Sequence, residues 1–121
     1  MERGLLIIAH GSRVDETKEV VEKVAMRIRE FGQYKKVEAA FMEFNEPDIP
    51  AAIEDFVKEG IFEIIAVPMF LFEGIHIRED IPELFEKEKE KYPNLNIKFA
   101  RPMGYDDRIV EIILERAREV L

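Results

Sequence analysis

The chain alternates short apolar runs with longer stretches in which apolar residues recur every three or four positions. Leu5 to Ala9 is unbroken by a polar side chain, with Gly4 before it and Gly11 just beyond. A continuous run of this length is the pattern of a strand buried on both faces. Val37 to Met42, Ile61 to Val67 and Asn96 to Ala100 read as three further strands. Between them lie helical stripes: Val20, Val21, Val24, Ala25, Ile28 and Phe31 in the first; Ala52, Ile53, Phe56 and Val57 in the second; Leu84 and Phe85 in the third; Ile109, Val110, Ile113, Leu114 and Ala117 in the last. Asp15 or Thr17 suits the start of the first helix and Gly32 its end. Asp48 and Pro50 open the second and Gly60 closes it. Asp80 and Pro82 open the third, whose Glu86–Lys91 segment reads as a solvated run of alternating charge. Asp106 or Asp107 caps the fourth.

Four β-α units in succession predict an α/β fold: a four-stranded parallel sheet with helices on both faces, as in half of a doubly wound, flavodoxin-like unit. Right-handed crossovers favour the strand order 2-1-3-4. The winding then reverses between strands 1 and 3, and open α/β sheets bind ligands at the carboxyl edge of such a reversal. Residues 1–121 form one domain, near the common domain size.

The chain's two histidines fall after those two strands: His10 after the first, His76 in the loop after the third. Imidazole suits divalent cobalt, nickel, iron and zinc, and it accepts protons near neutral pH. With carboxylates from Glu43 or Glu46 the pair would make a partial metal shell, leaving positions for a substrate that itself binds metal. The plainer alternative is that His10 caps a backbone group and His76 faces solvent. Glu43 reads equally as a strand-end charge, and Glu46 as a helix-dipole partner. Met69-Phe70-Leu71-Phe72 is strongly apolar for a connection; it would line a pocket for a large flat ligand or meet a second subunit. Arg13, Arg78 and Arg101 could hold acidic groups on a ligand.

Composition narrows the choices. The net charge of −8 opposes nonspecific nucleic-acid binding. No run approaches the ~20 apolar residues that span a bilayer, and the early first strand leaves no room for a signal peptide, so a cytoplasmic protein is expected. The absence of cysteine excludes disulfides, thiolate catalysis and cysteine-held metal. No Walker loop, dinucleotide fingerprint or hydrolase elbow is present.

Four segments together resemble one family: Ala9-His10-Gly11-Ser12-Arg13; Phe41 to Pro50; Val67 to His76 with Asp80-Ile81-Pro82; and Arg101-Pro102-Met103-Gly104 with Asp106 to Ile109. They are similar to the small archaeal CbiX-type chelatases, the ATP-independent class II enzymes that insert cobalt, or nickel, into sirohydrochlorin. The resemblance implies an acidic tetrapyrrole substrate, cobalamin or coenzyme F430 biosynthesis as the pathway, and a homodimer enclosing the substrate. Beyond the substrate metal, Co2+ or Ni2+, it implies no cofactor and no ATP. It assigns His10 and His76 to the metal and His10 to proton acceptance. Glu46, Leu71, Phe72, Glu73, Gly74, Ile75 and His76 are assigned to the substrate. Glu43, Ser12 and Arg13 are further candidates for the same site. A histidine-rich insertion of some relatives is absent here. The rivals are a noncatalytic metal or tetrapyrrole carrier, a chelatase using Fe2+ on a related tetrapyrrole and, more distantly, a flavodoxin-like regulatory module.

Overall fold

A computed structural model describes residues 2–121, the side chain of His76 excepted. The elements run β1 (Arg3–Ala9), α1 (Asp15–Glu30), β2 (Lys36–Phe41), α2 (Ile49–Lys58), β3 (Glu63–Pro68), α3 (Ile75–Lys91), β4 (Asn96–Phe99) and α4 (Asp107–Glu119). The sheet is parallel throughout, in the order β2-β1-β3-β4.

Side chains alternate between the faces of a strand, and β1 feeds a core on each. Leu6 and Ile8 pack with Ile64, with Ile53 and Phe56 of α2, and with Ile81 and Phe85 of α3. Leu5, Ile7 and Ala9 pack with Val37, Ala39 and Phe41, and with Val21 and Ala25 of α1. Gly4 admits α2 to the sheet: a β-carbon there would stand 2.5 Å from Phe56 Cδ1 and 3.3 Å from Ile61 Cγ2.

Several boundaries differ from the sequence expectation. The N-cap of α1 is Val14, so Asp15 is the first helical residue and Thr17 the third. The polar service expected of them comes from upstream, where Ser12 Oγ accepts the Val14 N–H at 3.1 Å. β3 begins at Glu63. Ile61 is buried but belongs to the close of α2, its N–H donating to the Phe56 carbonyl at 2.9 Å. The largest correction concerns α3, which starts at Ile75 behind an N-cap at Gly74, so that Asp80 and Pro82 lie inside it. Pro82 gives up one helical hydrogen bond. In return Ile77 and Ile81 reach the core one turn apart. The same face carries Glu88, which is buried and paired with Lys91 at 3.1 Å, not solvated.

Asp48 and Asp106 cap their helices as expected, each accepting a backbone N–H at 2.9 Å, from Ala51 and Arg108 respectively. The apolar stripe of α4, however, is not covered. Among the described residues none of α4 is buried, and Val110, Ile112, Ile113 and Leu114 stand open.

Candidate active site

The register aligns three strand ends. Ala9 pairs with Phe41 on one side, and Ile8 with Pro68 on the other. The next residues out, His10, Met42 and Met69, therefore emerge at one edge. Backbone bonds continue the alignment: Met42 N–H donates to the Ala9 carbonyl at 3.0 Å, and Met69 N–H to the Ile8 carbonyl at 2.7 Å. This places His10 at the reversal of winding, as the sequence predicts.

His10 is exposed. Its ring centroid lies 4.8 Å from that of Phe70, with the planes tilted by 42°. Phe70 is 7% exposed, and its carbonyl accepts the Met103 N–H at 2.9 Å. A fixed aromatic wall thus braces an accessible imidazole. In front of it opens a cleft of about 630 Å³, walled by Thr17 and Val20 of α1 and by Met69, Leu71 and Phe72. That volume is in the range of ligand sites, and its lining is mostly apolar.

The loop after β2 is locked to the loop after β1. Glu43 N–H donates to the His10 carbonyl at 3.0 Å, and Ser12 N–H to Asn45 Oδ1 at 2.8 Å. Gly11, at φ 91°, lies directly against the Glu43 carbonyl. Asn45 N–H turns back to the same carbonyl at 2.9 Å, closing a γ-turn around Phe44, whose φ is 68°. A left-handed backbone at a bulky residue costs about 1–3 kcal/mol. The Phe44 ring is exposed, and the Arg13 guanidinium stands 4.9 Å from its centroid.

The other expected residues divide. Glu43 is exposed at the same edge, and Leu71 and Phe72 wall the cleft. Gly74 and Ile75 form the start of α3, so His76 belongs to the first helical turn instead of a loop; its expected metal contact concerns a side chain outside the described residues. Glu73 is largely buried: Oε1 lies 3.6 Å from Arg78 Nε, and Oε2 has no hydrogen-bond partner among the described residues. Glu46 lines a different cavity, beside α2, with Glu38, Asp48 and Asp55. There, burial and the neighbouring Asp55 carboxyl push Glu38 up to about 7. Among the described residues no three His, Cys, Asp or Glu side chains gather as a metal shell.

Sequence reading passed over Phe70, Phe44 and Asn45 as individual contributors. Phe70 could have been found from register, standing level with His10 once strands 1 and 3 are aligned. The ring of Phe44 and the amide of Asn45 gave no periodic signal. A second apolar surface also escaped notice: Leu71, Phe72 and Tyr105 continue into Ile109, Val110 and Ile113 of α4 around a groove of about 500 Å³.

The CbiX family model matches residues 4–120. The chain belongs to the CbiX family. A relative from Methanococcus aeolicus, named sirohydrochlorin cobaltochelatase, is 38% identical over 138 residues, covering 94% of this chain and 96% of its own. The sirohydrochlorin chelatase SirB of Bacillus subtilis subspecies spizizenii, solved in complex with cobalt, superposes with a TM-score of 0.90 at 28% identity. That match covers 99% of this CbiX chain and 51% of SirB; SirB from Bacillus subtilis has also been solved with Fe3+. A CbiX protein from Marinobacter aquaeolei superposes with a TM-score of 0.79 at 27% identity, over 97% of this chain and 95% of that one. No helix of this CbiX chain is long and apolar enough to cross a membrane among the described residues.

Proposed function

We propose that this chain inserts Co2+ into sirohydrochlorin without ATP, as a step of cobalamin biosynthesis. The observation that carries the reading is His10: an exposed imidazole at the switch point, braced by Phe70, facing an apolar cleft. Relatives matched over nearly their whole length bear the name of this activity. Insertion replaces the waters of the metal by ring nitrogens and removes two pyrrole protons. His10 and His76 hold the ion at one face of the macrocycle; as the metal passes to the ring nitrogens, the released His10 imidazole accepts one pyrrole proton and the exposed Glu43 carboxylate or solvent takes the other. The apolar walls, Leu71 and Phe72 among them, take the flat ring, and the Glu73–Ile75 segment borders it. Imidazole serves nickel equally well, so Ni2+ insertion on the way to coenzyme F430 belongs to the same reading.

The working unit in this proposal is a homodimer. The cleft is open on one side, the α4 stripe is uncovered, and the cobalt-bound SirB chain has room for two units of this length. A second copy across α4 would cover the apolar stripe and close the cleft.

An anaerobic absorbance time course with sirohydrochlorin and Co2+ or Ni2+, against a protein-free control, tests the activity. Multiple turnovers, lost in His10→Ala, are expected. Stoichiometric binding without acceleration would instead make the chain a carrier. Fe2+ belongs in the same assay, since SirB has been solved with iron; faster insertion of Fe2+ than of Co2+ would move the function to iron.

A further inference from the structure

We propose that Phe44 is a positioning residue, holding the Arg13 guanidinium beside the loop that carries His10, to receive a carboxylate of the macrocycle. The inference deepens the proposed function and rests on its acidic tetrapyrrole substrate.

Three observations meet at this residue. The backbone of Phe44 is left-handed, at φ 68°, inside a γ-turn closed by Asn45 N–H on the Glu43 carbonyl. Glycine would occupy that position without strain, yet the chain places a large aromatic ring there. The ring is 57% exposed, so it contributes little to either core. Its visible occupation is the Arg13 guanidinium, 4.9 Å from the centroid. Strain retained at an exposed apolar residue points to use in binding.

The surroundings fit that use. Phe44 and Arg13 belong to the two loops that the Ser12–Asn45 and Glu43–His10 hydrogen bonds tie together. The backbones that carry the pair are therefore held relative to the His10 backbone. A guanidinium over an aromatic face loses less freedom when it takes up a carboxylate, and its fork of donors remains free at the edge for a bidentate bond. A chain of net charge −8 repels an acidic ligand at long range, so binding needs a local cation set in place beforehand.

The test is equilibrium titration of metal-free sirohydrochlorin into the wild type, Phe44→Leu, Phe44→Gly, Phe44→Tyr, Arg13→Gln and the Arg13→Gln/Phe44→Leu double variant, with a thermal melt of each. Phe44→Leu should weaken binding about three- to fivefold, and Phe44→Tyr should restore it. Phe44→Gly should weaken binding while melting no lower than wild type, since glycine relieves the turn. In the Arg13→Gln background, Phe44→Leu should cost nothing more. Unchanged affinity in Phe44→Leu, or a loss undiminished when Arg13 is already gone, overturns the inference. Binding that depends on Phe44 through Arg13 upholds it even if the wild type shows no turnover, in which case the chelatase reading alone falls.

Discussion

The carbonyl oxygen of Glu43 fills the space that a β-carbon on Gly11 would need. Such a carbon would also stand 3.0 Å from the Glu43 carbonyl carbon and 3.1 Å from Asn45 Oδ1, at a backbone φ of 91°. Gly11 is the point where the loops after β1 and β2 close on each other. Gly11→Ala should therefore part the loops, lowering stability by at least about 2 kcal/mol and abolishing chelation. Urea unfolding and the absorbance assay read both. A variant with wild-type stability and turnover would show that the contact between the loops is dispensable.

Phe70 offers a milder perturbation. Phe70→Leu keeps most of the buried volume and should cost under about 1.5 kcal/mol, but it removes the aromatic wall from the His10 ring. Hydrogen-bonded partners that orient a metal-binding histidine typically account for 10- to 100-fold in affinity, and a packed ring is expected to act at the low end of that range. A loss of about tenfold in Co2+ affinity is expected by calorimetry, with a nearly wild-type melting curve. If Co2+ affinity holds, the brace does not orient the ligand.

Gly4 tests the packing of α2 on β1. Gly4→Ala drives a methyl group into the Phe56 ring, and overpacking of this kind costs about 1–3 kcal/mol. Phe56→Leu in the same chain should return part of the loss, because the two sites share one space. Strictly additive losses in denaturant unfolding would mean that Gly4→Ala acts elsewhere.

What could be read from the chain before its fold was known follows from how each feature is encoded. The strand order and the position of His10 came from the alternation of apolar runs and from topology alone, because parallel β-α units leave few arrangements. The start of α3 is not legible in the sequence because Pro82 resembles a first-turn proline, whereas the contacts that carry the helix back to Ile75, those of Ile77 and Ile81 with the core, are tertiary. The burial of Glu88 is hidden for the same reason: a charge run looks solvated until one of its faces packs. The Arg13–Phe44 pair and the Gly11–Glu43 contact join residues about thirty positions apart, and local pattern carries no trace of either.

The bare stripe of α4 yields a prediction about assembly. If a second copy covers Ile113 and Leu114, then Ile113→Glu places a charge in an apolar contact and should convert a dimer into a monomer by sedimentation velocity. Because Ile113 is exposed in the single chain, the variant should keep its secondary structure. Turnover should fall with the dimer if the second copy closes the cleft. A wild type that sediments as a monomer at assay concentrations would remove the homodimer from the mechanism.

Glu38 makes stability depend on pH in a definite direction. Burial, with the Asp55 carboxyl beside it, raises its pKa from an ordinary 4.5 to about 7, although Lys36 Nζ lies 3.8 Å from its Oε2 and pulls the other way. Below about pH 4.5 the carboxyl is protonated in the folded and the unfolded chain, and it costs the fold nothing. Between about 4.5 and 7 only the folded chain keeps the proton, so this contribution declines as the pH rises, and above about 7 the full penalty of a buried anion is present. Glu38→Gln should match the wild type near pH 4 and exceed it above pH 7, by on the order of 1 kcal/mol once the solvent that reaches the carboxyl is allowed for. The difference between the two urea-unfolding profiles isolates this carboxyl from the many other acidic groups. A difference that shrinks as the pH rises would mean that Lys36 holds Glu38 as a paired anion, and that burial does not govern its charge.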